Sequence, residues 1–267
     1  MLYLRTVIFN LGYYGSGIFA GSLSVLLWPF LPYRIRWRVI TLWNRFVMLW
    51  LRLALNIRFA VIDQRTRFDH PVVVMAKHQS TWETMFLQYY LAPISTILKK
   101  ELMRIPFFGW GLAALKPIAI DRSNPIQALK DVKSKGIGRL QEGISVLVFP
   151  EGTRMPLGKV GNYARSGADI ACSANVPVVP VAHNAAECWP HRHFLKYPGL
   201  ITVVIGNAID TTGRDRKTVT EEIKIWTESQ ITALPLARDD GIYAPGQAIK
   251  PDAPTATDQA RPSSRTT

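Results

Sequence analysis

Val72-Val73-Val74-Met75-Ala76 is a short apolar, β-branched run that breaks into the polar cluster Lys77-His78-Gln79-Ser80-Thr81-Trp82-Glu83-Thr84 and then enters Met85-Phe86-Leu87-Gln88-Tyr89-Tyr90-Leu91. The first run reads as a buried strand and the last as a helix packed by its apolar side. A strand that ends in polar residues and turns into a helix is where α/β folds place chemistry. Ser80 or Thr81 can cap the helix. His78 then stands at the strand's end and Glu83 about one turn into the helix. A carboxylate there can fold back onto the imidazole Nδ1–H and leave Nε2 as a general base.

Working outward, strand-like runs recur at Ile57–Ile62, Ile94–Leu98, Pro117–Ile120, Ser145–Phe149, Val176–Val181 and Ile201–Ile205. Helical stretches are predicted at Pro125–Gln141, weakened by Gly136 and Gly138, at Ser166–Ala174 and at Thr218–Ala233. The alternation predicts an α/β fold, a mixed, largely parallel sheet flanked by helices. The chain of 267 residues divides into residues 1–60, an α/β domain over 61–237, and a tail over 238–267 that is rich in Pro, Asp, Ala, Thr and Ser and reads as disordered.

Charge and hydropathy single out the N-terminal part. The net charge is +13, and residues 1–60 hold seven arginines and no Asp or Glu. Nucleic-acid binders carry such charge on soluble faces. Here it is interleaved with Trp, Leu and Phe, which points to anionic lipid headgroups and away from nucleic acid. From Thr6 to Tyr33 no residue is charged, a length that suits a hydrocarbon core. Gly12, Gly15, Gly17 and Gly21 permit close helix packing, and Pro29 and Pro32 end the stretch. Arg34 to Ile57 follows as an amphipathic helix with Arg38, Arg45 and Arg52 on one stripe. The pair predicts a membrane-associated two-helix segment. It is either a spanning helix with an interfacial one, or a hairpin in one leaflet. Arg34, Arg36 and Arg38 outnumber Arg5, which places the following domain on the cytoplasmic side of the inner membrane. Cys172 and Cys188 form no disulfide or metal pattern. His191 and His193 lack further ligands at metal spacing and read as a polar loop near headgroups.

Three further motifs carry chemistry. Lys116-Pro117-Ile118-Ala119-Ile120-Asp121-Arg122 is an apolar strand ending in an acid and a cation. Val148-Phe149-Pro150-Glu151-Gly152-Thr153-Arg154 is a strand opening into an acid, a glycine and an arginine. Val176-Pro177-Val178-Val179-Pro180-Val181 is a strand bounded by prolines. Parallel strands gather their ends on one edge, so His78, Arg122 and Arg154 are candidates to converge. Arginine forks suit a phosphate, and the Gly152 amide can approach an anion closely.

This set, in this order, resembles the glycerolipid acyltransferase family that includes the 1-acylglycerol-3-phosphate acyltransferases. Lys99-Lys100-Glu101-Leu102 and Ile105-Pro106-Phe107-Phe108-Gly109 look like the family's second block. The resemblance covers about residues 70–210. It implies that His78 is the catalytic base and that Glu83, where the family usually has Asp, is its partner acid. Arg122 would bind the acceptor's phosphate, and Glu151, Gly152, Thr153 and Arg154 would form the acceptor site. Lys100, with Lys99 as rival, would stabilise the oxyanion or the phosphate. The implied reaction moves an acyl group from acyl-CoA or acyl carrier protein to the sn-2 hydroxyl of lysophosphatidic acid, giving phosphatidic acid, with no cofactor and no metal. An acyltransferase for another lyso-lipid and a non-catalytic lipid-binding homologue are the alternatives.

Overall fold

A computed structural model describes residues 1–27, 30–65, 71–121 and 123–238. Pro29, Arg122 and the tail beyond Arg238 lie outside these residues. Seven strands form one sheet: β1 (Ile57–Asp63), β2 (Val73–Ala76), β3 (Ile94–Lys99), β4 (Ile118–Ile120), β5 (Ser145–Val148), β6 (Val178–His183) and β7 (Gly199–Ile205). Their spatial order is β1-β7-β6-β2-β5-β3-β4. Each neighbouring pair is parallel except β6 with β7. Each predicted strand is present, within two residues at either end.

β2 sits at the centre, with Val73 to Ala76 wholly buried. Strand side chains alternate between faces. Val74 and Ala76 enter one apolar core with Trp82, Phe86, Leu51 and Phe9. Val73 and Met75 enter the other with Val132, Ile170, Val219 and Ile223. A central strand buried on both faces therefore reads as unbroken Val-Val-Val-Met. Pro180 is tolerated inside β6 because its missing N–H faces the β7 side beyond the antiparallel pairing, where its carbonyl accepts from Gly206 N–H.

The second core lies under α5 (Pro125–Gln141), α6 (Ser166–Ala174) and α8 (Arg216–Ala233). Asn124 caps α5 by accepting from Gln127 N–H, and Pro125 fills its first turn. Asp215 caps α8 through Lys217 and Thr218 N–H, which starts that helix two residues before the predicted Thr218. Gly136 stays inside α5 because Ile170 of α6 occupies the space a Cβ would need.

The first core lies under α3 (Trp82–Tyr90) and the N-terminal pair α1 (Leu2–Leu27) and α2 (Tyr33–Leu55). The helical segment ends at Leu55 and β1 begins at Ile57, so the first four residues of the edge strand lie within the expected 1–60 segment. No helix among the described residues is long and apolar enough to cross a membrane, so the spanning arrangement is not found. α1 and α2 instead pack on the α/β core. Phe9, Val47, Met48, Leu51 and Leu55 are core residues, and Asn44 donates to Met85 O and Gln88 Oε1 of α3. At the other end of the chain, Arg238 is 5 % exposed, with its guanidinium over the Tyr197 ring. The ordered domain thus includes the residue where the tail was expected to start.

The glycines of α1 work as close-approach positions. A Cβ on Gly12 would overlap the Trp50 indole, and one on Gly21 would overlap the Phe107 backbone. Phe107 precedes α4 (Phe108–Ala113), the short helix that packs on α1. Gly15 meets nothing. Gly21→Val should therefore lower unfolding stability by about 1–3 kcal/mol, as overpacking does. Gly15→Ala should raise it by roughly 0.5–1 kcal/mol through helix propensity. Denaturant unfolding in detergent measures both.

Candidate active site

The end of β2 brings the chemistry together. His78 follows Ala76 and Lys77 on the sheet's carboxyl edge, and its ring is 15 % exposed. Its Nδ1 lies 2.9 Å from Glu83 Oε1. The same Oε1 accepts Gln79 N–H at 3.0 Å and Ser80 N–H at 2.8 Å. Glu83 is 0 % exposed and stands in the first turn of α3. Its extra methylene, relative to Asp, is accommodated by folding back over its own helix N-terminus. Burial works against its charge, but the His78 hydrogen bond and the Ser80 amide outweigh it and hold the carboxyl below the usual range. An ionised carboxylate only accepts, so Nδ1 donates and the lone pair of His78 is on Nε2. The imidazole also stacks on Phe149, centroid to centroid 4.1 Å.

His183 supports this pair from below. It is fully buried, and its Nε2 lies 2.9 Å from Lys77 O and 4.0 Å from Glu83 Oε2. Its Nδ1 accepts from Ala185 N–H. These partners fix a neutral ring with the proton on Nε2, and burial lowers its pKa in the same sense.

Ser80 is structural. Its Oγ donates to Trp189 O at 2.7 Å and accepts Trp82 N–H, so it cannot serve as a nucleophile without losing both bonds. Ser80 thereby caps α3, while Thr81 makes no side-chain capping bond. Trp189 in turn packs edge-on against Phe9 and Tyr13 of α1.

The loop after β5 crosses the same edge. Arg154 Nε donates to Ser80 O at 2.8 Å, and Met155 N–H donates to His78 O. Arg154 is thus held beside the base's loop, as the convergence of strand ends predicts. Its Nη1 lies 3.5 Å from His191 Nδ1. His191, expected only as part of a polar loop, is half-buried at this site. Burial first, and then Arg154, Arg192 and His78, push its pKa down to about 4. Thr153 is exposed.

Three expectations are corrected. The Glu151 side chain is fully buried, pairing with Lys77 Nζ at 2.7 Å and accepting His78 N–H at 2.8 Å, so it is not open to an acceptor. Gly152, at φ 66°, donates its N–H back to Phe149 O, closing the turn in place of offering a bare amide. Lys100 pairs with Asp121 at 3.0 Å, both about half exposed, at the β3–β4 end of the sheet and not beside the dyad. The side chains that motif spacing missed are Lys77, His183, Phe149 and Glu228. For Lys77 a signal exists: strand alternation carries Val73 and Met75 onward to it, into the core beneath α8.

Comparisons with known proteins agree with this geometry. A family model described as Acyltransferase matches residues 57–184. The 1-acyl-sn-glycerol-3-phosphate acyltransferase of Pseudomonas aeruginosa is 46 % identical over 219 residues, 82 % of this chain and 85 % of that protein. The protein of the same name from Saccharomyces cerevisiae is 29 % identical, over 68 % of this chain and 60 % of its own length. The crystal structure of the 1-acyl-sn-glycerophosphate (LPA) acyltransferase PlsC from Thermotoga maritima superposes with a TM-score of 0.69 at 25 % identity, covering 86 % of this chain and 95 % of that one. With its central strand ending in an imidazole–carboxylate pair, the chain belongs to the family of the 1-acyl-sn-glycerol-3-phosphate acyltransferases.

Proposed function

We propose that this protein transfers an acyl group from a thioester donor, acyl-CoA or acyl carrier protein, to the sn-2 hydroxyl of lysophosphatidic acid. The observation that carries the reading is the His78–Glu83 contact of 2.9 Å, with the carboxylate buried and the base lone pair on Nε2. Nε2 takes the proton of the acceptor hydroxyl as that oxygen attacks the thioester carbonyl. Glu83 stabilises the imidazolium that forms, as the acid of a triad does. The thiolate then leaves and recovers the proton from His78. A thiol pKa near 8.5 makes this departure easy, so no acyl-enzyme is required. Arg154 would bind the acceptor's phosphate through its guanidinium fork. Arg122 and Thr153 complete the proposed acceptor site.

The acceptor is a membrane lipid, and the outer side of the N-terminal hairpin suits a membrane surface. Leu4, Ile8, Leu11 and Ile18 of α1 are exposed at helical spacing, as are Leu42, Phe46, Leu49 and Leu53 of α2. Arg38, Arg45 and Arg52 are exposed along α2. We place this face in the headgroup and upper acyl region of one leaflet, with the catalytic domain on the cytoplasmic side of the inner membrane.

The direct test is labelled acyl transfer from each donor to lysophosphatidic acid and to phosphate-free lyso-lipids. Turnover confined to a phosphate-free acceptor overturns the assignment. His78→Ala should lower kcat by about 10²–10⁴-fold, the worth of general-base help. Glu83→Gln should fall almost as far, and Glu83→Asp, which keeps the charge, less.

Arg154→Ala should raise acceptor KM by roughly 10- to 150-fold, the equivalent of one charge-assisted bond, with donor KM little changed. Arg154→Lys should recover part. A rise only in donor KM would assign the arginine to the carrier.

Phe46→Glu with Leu49→Glu should weaken flotation with anionic vesicles at least about tenfold, since each apolar side chain contributes about 1.5–3 kcal/mol when buried. Unchanged flotation would remove this face from the interface.

A further inference from the structure

Lys77 is 1 % exposed, which is costly for an ammonium unless every donor is used. Its ammonium donates to Glu228 Oε1 at 2.7 Å and to Lys159 O at 3.2 Å, and it is ion-paired with Glu151 Oε1 at 2.7 Å. The second oxygen of Glu151 accepts His78 N–H at 2.8 Å. Glu228 also accepts from Tyr163 OH at 2.9 Å, and burial, then the neighbouring carboxylates, keep that phenol protonated and a donor. One cluster thus ties four chain segments together: the end of β2, the turn that opens with Glu151, the far end of that loop at Lys159 and Tyr163, and α8. The loop it closes is the one that carries Arg154. Glu228 lies beyond residues 57–184, the part of the chain that matches the family model.

The arrangement has a direction. Lys77 points into the core beneath α8, while the next residue turns its imidazole to the opposite face. Among the described residues, the hydrogen bond from the cluster to His78 is made through the His78 backbone N–H. The other oxygen of Glu151 is ion-paired with Lys77 at 2.7 Å, so Lys77 fixes the carboxylate that accepts this N–H. Glu228 takes a second donor of Lys77 and is itself fixed by Tyr163, so α8 reaches the base through two side chains.

We propose that Lys77 and Glu228 are positioning residues for the transfer reaction: they lock Glu151 against the His78 amide and the Arg154 loop against the base. This rests on His78 being the base. Neither residue touches substrate, so their loss should act on kcat and not on substrate binding.

The test uses the full-length protein in mixed micelles, with kcat expressed per folded enzyme, and compares Lys77→Met, Glu151→Gln, Glu228→Gln and the double Lys77→Met/Glu151→Gln. Lys77→Met leaves two carboxylates facing each other in the protein interior. Its kcat should fall by roughly 100-fold, the cost of a displacement near 1 Å, with both KM values within about twofold of wild type. The double variant removes the charge of both partners, and the amide that replaces the Glu151 carboxylate still offers a carbonyl to His78 N–H. It should recover at least about tenfold over Lys77→Met, the coupling typical of neighbours in one network. Glu228→Gln is a nearly isosteric change to a side chain that is 20 % exposed, so it serves if Lys77→Met does not fold, and its kcat should drop by about tenfold. Wild-type kcat per folded molecule in Glu228→Gln and in Lys77→Met, where it folds, overturns the inference, as does a double variant that shows only the product of the single losses. His78→Ala is assayed alongside. If it is inactive while the cluster variants keep wild-type kcat, the positioning role falls and the base assignment stands; if it is active, both fall.

Discussion

A carboxylate with no exposed surface holds the His78 imidazole in place. Oε1 of Glu83 receives three N–H groups, one from the ring and two from the turn that precedes the helix. The two backbone bonds tie the turn before α3 to its first turn, so the residues that lead into the helix also keep the acid ionised. The helix start, the acid's charge and the tautomer of His78 are one arrangement, and none can be altered alone. This is why Glu can stand where the family usually has Asp. What the proposed reaction requires is a fixed negative charge at Nδ1, and the longer side chain reaches that point by curling over its own helix terminus.

The sheet divides the labour between its two faces. His78 and Phe149 turn toward α1 and α3, where the two rings stack. Lys77 turns the other way, toward α8, and meets Glu151 and Glu228. Adjacent residues just past the end of β2 thereby face the proposed chemistry above and the anchoring cluster below. The acid that looks from its motif like a ligand for substrate is the link between the two layers.

The N-terminal hairpin carries two functions on opposite sides. Inward, Phe9 and Leu51 complete the apolar core, and Trp189 connects α1 to the Ser80 turn through its carbonyl. Outward, the exposed leucines and Phe46 form a stripe that no part of the described chain covers. A segment built this way is neither a detachable anchor nor a buried pair of helices. Its apolar content is shared between a protein core and a surface.

Local pattern settles much of this molecule. The seven strands, the helices at Pro125–Gln141 and Ser166–Ala174, and the pairing of His78 with Glu83 all rest on periodicity, caps and a five-residue spacing, which are properties of neighbouring residues. The disposition of the arginine-rich hairpin is not legible in this way, because a long uncharged run says nothing about which side packs on protein. Glu151 and Gly152 mislead for a related reason: their motif shows the residue types but not which partners have already claimed them. Lys77 and Glu228 are 151 positions apart, and no local rule pairs them. Only the tertiary structure decides that contact, because a buried charge must be matched by whatever the fold brings within hydrogen-bonding distance, however far along the chain it lies.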